Sequence, residues 1–302
     1  MKHNHHFSQR WFRLLGIAAI ALSLGACGQN GSGASASSSE PAAKEEAVSG
    51  IQSIKDRGVL RVAVFADKPP FGYVDAEGKN QGYDVVLAHR LAKDLLGDEN
   101  KVEFVLTEAQ NRVDVLKSNK VDITLANFTV TPERAEQVDF ALPYMKTAIG
   151  LVSPKAQPIN DVAGLKGKTL IVNKGTTAEI WFAKQQPDIN RLSFDHNTEA
   201  FNALKDKRGA ALAHDNTLLY AWVKENPSFA VSINQLGDND LIAGAVKKGN
   251  TDLQAWLNEE IIKLTDEGFF NKAYAEAVAP FYGEGIDSKN IVLSPEELKA
   301  VK

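Results

Sequence analysis

The 302-residue chain has almost no cysteine: Cys27 is the only one, so no disulfide can form within it. It also lacks an excess of charge of either sign. A formal net charge of −4 leaves no basic field of the kind that holds nucleic acid. The apolar run at residues 14–24 falls short of the roughly 20 residues that a membrane-spanning helix needs. A phosphate-binding glycine loop, a dinucleotide fingerprint and a clustered metal-ligand motif are all missing, so no cofactor is expected. Past residue 50 the histidines are His89, His196 and His214, and none forms a nucleophile–base pair with a neighbour in sequence. What is present is ordinary globular material, 44% hydrophobic and 24% charged. The length suits one large or two medium domains.

The N-terminal residues read as a targeting segment. Lys2, Arg10 and Arg13 make a basic leader, residues 14–24 an apolar core, and Leu24-Gly25-Ala26-Cys27 follows. The core has the size of a secretory signal h-region. Its end resembles the lipobox of bacterial lipoproteins, which implies that residues 1–26 are a signal peptide and that Cys27 becomes the lipidated first residue. The other reading is a plain secretory signal with a chance cysteine. His3, His5 and His6 lie inside the leader and are set aside as metal ligands. Residues 27–50, rich in Gly, Ser, Ala and Glu, have no apolar periodicity and read as a flexible tether. The folded part is then expected outside the cytoplasm, held near a membrane.

From residue 51 onward, strand and helix patterns alternate. Residues 58–65 read as a buried strand, 85–96 carry helical apolar spacing, 112–117 begin a helix, and 101–106 and 121–125 read as strands. The rhythm restarts with strands at 169–172, 191–194 and 210–213 and helices at 178–185, 197–205 and 217–224. Extended runs at 230–233 and 241–246 precede helices at 251–267 and 269–277. A short helix is expected after Ser294-Pro295. This pace implies an α/β fold, mainly parallel sheets flanked by helices, in two units of roughly 90 residues each. Segments near 146–152 and 242–246 are expected to join them.

The densest chemistry lies in Leu125-Ala-Asn-Phe-Thr-Val-Thr-Pro-Glu-Arg134. Thr131 before Pro132 fits a helix N-cap with proline at the first helical position. Such a turn gathers free amides, hydroxyls and one guanidinium, the groups that hold a carboxylate. The plain alternative is a capped helix with a solvated arginine.

Further along, Gly58-Val-Leu-Arg-Val, Pro70-Phe71, Gly82-Tyr-Asp84, Leu165-Lys-Gly-Lys168, Gly175-Thr-Thr177 and Gly268-Phe269 occur in order around that stretch. With them, residues 51–283 resemble the bacterial extracellular solute-binding proteins, family 3, the polar amino-acid receptors. Ala126-Asn-Phe-Thr with Leu212-Ala-His-Asp-Asn-Thr-Leu-Leu219 is most similar to the cysteine-binding branch. The resemblance implies a two-lobe periplasmic-binding-protein fold of type II. Each lobe would be a mainly parallel sheet flanked by helices, and two hinge strands would join them. Lobe 1 would be 51–147 with 242–283, lobe 2 would be 148–241, and 284–302 a C-terminal tail.

The same resemblance implies the site. Arg134 forks onto an α-carboxylate, with Thr129, Thr177 and Thr176 as further donors; Asn127 offers a carbonyl, and Asp215 a carboxylate, to an α-ammonium. Phe71, Tyr73, Phe128 and Tyr144 are the aromatic candidates for the pocket wall, each of which could instead be core. Lys68 stands where relatives often carry an aromatic residue that stacks on the ligand. Arg112 would reach the cleft edge and His214 the ligand side chain. A thiol-sized ligand needs a tight, partly apolar pocket. A basic ligand would need extra acids, and these loops offer only Asp67 and Glu108.

The implied function is a lipoprotein receptor of an amino-acid ABC importer. It would be a periplasmic monomer held by Cys27 that delivers a polar L-amino acid, L-cysteine first, to a permease with its ATPase. Two rivals share the fold: a dehydratase-like enzyme and a surface adhesin.

Overall fold

The computed structural model describes residues 50–301. The leader, Cys27 and the tether as far as Ser49 lie outside the described residues. Chain order begins with α1 (Ile51–Arg57), β1 (Leu60–Val64), β2 (Asp67–Lys68), β3 (Gly72–Val74), β4 (Asn80–Gln81) and α2 (Tyr83–Leu96). Next come β5 (Val102–Leu106), α3 (Arg112–Lys117), β6 (Ile123–Thr124), α4 (Pro132–Ala135) and β7 (Val138–Pro154). A second series follows: β8 (Thr169–Asn173), α5 (Thr177–Gln185), β9 (Asn190–Phe194), α6 (Asn197–Lys205), β10 (Ala211–Asp215) and α7 (Asn216–Glu225). Then β11 (Phe229–Lys247), α8 (Thr251–Asp266), α9 (Phe269–Ala277) and α10 (Pro295–Ala300) complete the chain.

The main sheet has eight strands in the order β5-β1-β6-β11-β7-β10-β8-β9. At one end β5, β1 and β6 run parallel; at the other β10, β8 and β9 do. Each trio places its first strand in the middle, so the same wiring occurs twice. This is the two-lobe α/β arrangement expected from the alternation of elements. Parallel strands covered on both faces are apolar nearly throughout, and β1 shows it, with Arg61 its one half-exposed residue. Apolar packing under the first trio joins Val62, Leu87, Leu91, Ile123 and Leu257, and under the second Leu170, Val172, Phe182 and Ala213.

Between the trios lie β7 and β11, antiparallel to each other over 17 and 19 residues. These are the two joining segments, and they are longer than the sequence suggested. The runs at 230–233 and 241–246 are one strand, because the mostly polar residues from Asn234 to Asp240 continue the pairing with β7, with a left-handed Gly237 at φ +73°, without continuing the apolar alternation. Register shifts at Ile233/Leu236 and Leu236/Asp240 mark the same stretch. The C-terminal tail packs on the joining strand. Lys146 N donates to Ile291 O at 2.6 Å and Met145 bridges Val292. A capping box between Ser294 and Glu297 starts α10, as Ser294-Pro295 implied.

One close approach positions the site. Gly82 sits at φ +114°, and a Cβ there would fall on the Phe71 carbonyl. Its absence lets Tyr83 N reach Pro70 O and Asp84 N reach Phe71 O, both at 2.9 Å. The Gly82→Ala protein is expected to lose about 2 kcal/mol or more in urea unfolding. A loss below about 0.5 kcal/mol would show that this loop contact is not needed.

Candidate functional site

In open α/β sheets, ligands bind outside the carboxyl ends of the parallel strands. Here the residues past β1, β6 and β8 and at the end of β10 meet from the two lobes. Thr131 caps α4 as expected, its hydroxyl accepting from Arg134 N at 3.3 Å with Pro132 next in line. That cap fixes the start of a four-residue helix whose Arg134 is buried to 7% exposure. Its guanidinium donates to Thr129 O at 2.7 Å and, across the lobes, to Gly175 O at 2.8 Å.

Arg112 meets the same carbonyl. Its Nη2 donates to Gly175 O at 3.0 Å, while Nη1 donates to Asn127 O at 3.0 Å and Nε to Ala109 O at 2.8 Å. Both guanidiniums lie against the Phe128 ring, 4.5 Å away for Arg112 and 5.0 Å for Arg134. Arg112 was expected at the cleft edge; it is buried inside. Burial lowers both pKa values, Arg134 to about 10, and the neighbouring Arg134 charge lowers Arg112 further. A value near 10 leaves Arg134 charged at neutral pH. Gly175 has φ +72°, and a Cβ on it would stand 2.5 Å from Gln110 Cα of the other lobe. The close approach needs glycine.

The opposite charge sits at the end of β10. Asp215 Oδ2 accepts from Lys68 Nζ at 2.7 Å and from Asn127 Nδ2 at 2.9 Å. Burial alone would raise the Asp215 carboxyl, but the Lys68 ammonium overrides it and holds the group well below the usual carboxylate range. Burial lowers Lys68, with Asp215 opposing. The Asp215 amide donates to His214 Nδ1 at 2.7 Å. That nitrogen is therefore unprotonated, and its 3.5 Å approach to Asp215 Oδ2 is not a hydrogen bond. Burial, then the Lys68 charge, lower His214 below its ordinary value, in keeping with a neutral ring.

Asn127 is in the left-handed region at φ +42°, which asparagine tolerates. Its amide donates to Asp84 Oδ2 at 2.8 Å, and Tyr144 Oη donates to Asp84 Oδ1 at 2.7 Å. Asn127 Oδ1 and Thr177 Oγ1 are among the buried oxygens that find no hydrogen-bond partner among the described residues. Thr176 caps α5, accepting from Glu179 N at 3.2 Å and donating to Asn173 O at 2.7 Å.

The aromatic candidates separate by layer. Phe128 lies under the guanidiniums. Tyr144 is one layer below, holding Asp84 and stacked on Phe270, and Phe71 is fully buried in the same core. Tyr73 is half-buried and packs edge-on against Phe281, 5.8 Å away. The two loop acids are engaged elsewhere. Asp67 accepts from Asn197 Nδ2 and the Thr198 amide at the start of α6, and Glu108 accepts from Asn111 Nδ2. Gln110 Nε2 adds a bond between lobes to Asp195 at 2.6 Å. Among the described residues no group of His, Cys, Asp and Glu could hold a metal ion, and no helix is long and apolar enough to cross a membrane.

Asp84 is the residue that reading the sequence left without a role, although Gly82-Tyr-Asp84 had been singled out. Burial raises its pKa from 3.8 to about 6, against the hydrogen bonds from Tyr144 and the Asn127 amide. The folded state then holds this proton more tightly than the unfolded chain does. Its contribution to stability is fully present below pH 4 and is lost as pH rises through 6, on the order of 3 kcal/mol in all. In urea titrations, Asp84→Asn should show a shallower fall in stability between pH 4 and 7 than the parent. Parallel pH profiles would remove Asp84 as the source.

Residues 60–278 match the family model of bacterial extracellular solute-binding proteins, family 3. A solute receptor for L-cysteine of Neisseria gonorrhoeae is 58% identical with a TM-score of 0.80, covering 81% of this chain and 100% of that one. A cysteine-binding protein from Campylobacter jejuni is 57% identical with a TM-score of 0.80, covering 81% and 98%. An ABC transporter glutamine-binding protein of Bacillus subtilis is 32% identical over 86% of this chain and 93% of its own length. With this match over most of its folded part, the chain belongs to the bacterial extracellular solute-binding proteins, family 3.

Proposed function

We propose that this protein is the amino-acid receptor of an ABC importer, with L-cysteine as its ligand, and that it works by closing two lobes over a zwitterion. One observation carries the reading. Two buried guanidiniums and the start of α5 lie at one end of the cleft, and a carboxylate held anionic, Asp215, lies at the other. Burying a carboxylate and an ammonium together is costly unless each meets partners, and this arrangement supplies both.

In this proposal Arg134 takes the α-carboxylate with Thr129, Thr176 and Thr177. Asp215 and Asn127 take the α-ammonium. The unpartnered Thr177 Oγ1 and Asn127 Oδ1 are a donor and an acceptor of the kind those two groups need. Arg112, Phe128, Lys68 and His214 surround the side chain, Phe71 and Tyr144 support it from the core, and Tyr73 stands at the margin. The choice of L-cysteine draws on the names of the two solved relatives and on the tightness of a site packed this closely. The dicarboxylate or extra acid pair that a basic amino acid would need is not supplied by Asp67 and Glu108, which bond elsewhere.

Lobe 1 is assigned to 51–147 with 242–283 and lobe 2 to 148–241, so that β7 and β11 form the hinge. Closure about that pair creates the surface a permease recognises. The receptor acts as a monomer in the periplasm, tied to a membrane through lipid on Cys27, with the transporter's permease and ATPase as partners.

A thermal-shift screen against the common amino acids tests this. L-cysteine should raise the midpoint most, with about 4 kcal/mol of stabilisation at 1,000 times Kd. Arg134→Ala should weaken binding by about 30-fold or more, as expected when one partner of a buried charge pair is removed. No response to any amino acid would sink the proposal.

A further inference from the structure

Lys68 stands beside the ligand side chain in the proposed cleft, and its charge there has a consequence for which side chain fits. Lys68 is 1% exposed, and its ammonium has three donors and finds one hydrogen-bond acceptor among the described residues, Asp215 Oδ2. Around it stand the Phe65 ring at 5.2 Å, His214 beside Asp215, Asp84 from α2 and Arg112 from α3. In this buried cluster Lys68, Arg112 and Arg134 are three cations facing two carboxylates, Asp84 and Asp215. Asp240 on β11 adds to the surroundings of Arg134, but from the partly exposed stretch of the hinge. An amino acid that binds as a neutral zwitterion leaves the buried charge unbalanced. One that binds with a net negative charge balances it.

We infer that Lys68 sets the specificity of the cleft by taking the ligand's side chain as an anion, so that L-cysteine is bound as its thiolate. This rests on the amino-acid reading of the cleft. The S–H bond breaks heterolytically, the electron pair stays on sulfur and pairs with the Lys68 ammonium, and the proton leaves to solvent buffer. A thiol with an ordinary pKa of about 8.5 is mostly protonated in water at pH 7, and neighbouring Lys, Arg or His cations are the setting that lowers thiol pKa values. Serine, whose hydroxyl does not ionise in this range, would leave Lys68 with its unused donors.

Calorimetric titration at pH 7 in two buffers of different ionisation enthalpy counts the protons. The parent protein should release about one proton per L-cysteine bound, and its affinity should rise about tenfold per pH unit from 6 to 8. L-serine, titrated in parallel, reports any proton exchanged by Asp84, Asp240 or His214 and should release none. Lys68→Arg, which keeps the charge, should retain the release. Lys68→Met should abolish it: binding without release, or a folded protein with no detectable binding, both follow from losing the cation. Parent protein that binds L-cysteine without releasing a proton overturns the inference, as does Lys68→Met that binds with the release intact. Failure of every amino acid to bind would instead overturn the receptor reading beneath it.

Discussion

Two guanidiniums on one lobe share a single carbonyl on the other, and the rest of the site depends on that contact. Gly175 O accepts from Arg112 and Arg134 together, the two cations lying over one ring, Phe128. Like charges this close, taken out of water, repel one another and lose hydration. They are held by backbone carbonyls at Ala109, Thr129 and Asn127 and by the aromatic face beneath. The arrangement asks for an anion. It also asks that nothing bulkier than glycine occupy position 175, because the Gln110 backbone stands directly opposite.

The layers below serve this contact. The Gly82 loop contact docks Asp84 against Phe71; Tyr144 and the Asn127 amide then hold the Asp84 carboxylate. Asn127 in turn delivers its side-chain amide to Asp215 on the far lobe. A chain of packed and hydrogen-bonded groups therefore runs from the core through Asp84 and Asn127 to the opposite half of the cleft. The long antiparallel pair β7 and β11, with its register breaks, lies between the two parallel trios of the main sheet.

How far all this was legible in the sequence depended on how local the chemistry is. The Thr131 cap and Pro132 could be read directly, since they bond within one turn. The strand and helix order was legible for the same reason, apart from the short strands β2, β3 and β4 and the full lengths of β7 and β11, the polar middle of β11 hiding its continuity. Asp215 and Gly175 came into view through resemblance to a family, because their meeting with Arg134 is a property of the closed topology and not of spacing. Phe71, Tyr73, Phe128 and Tyr144 could not be sorted in advance: an aromatic residue looks the same in sequence whether it floors a site or fills a core. Asp84 was hidden because its role lies in accepting hydrogen bonds from residues 43 and 60 positions away. Lys68 was visible as a departure from its relatives, but its burial against Asp215 was not.

The central claim is that closing the cleft brings the Gly175 carbonyl to both arginines. Small-angle X-ray scattering of the parent protein and of Gly175→Ala, each with and without saturating L-cysteine, measures this most directly. The ligand should compact the parent, while Gly175→Ala, folded but unable to approach Gln110, should stay extended and bind at least about tenfold more weakly. Equal compaction and equal affinity in the two proteins would contradict that claim.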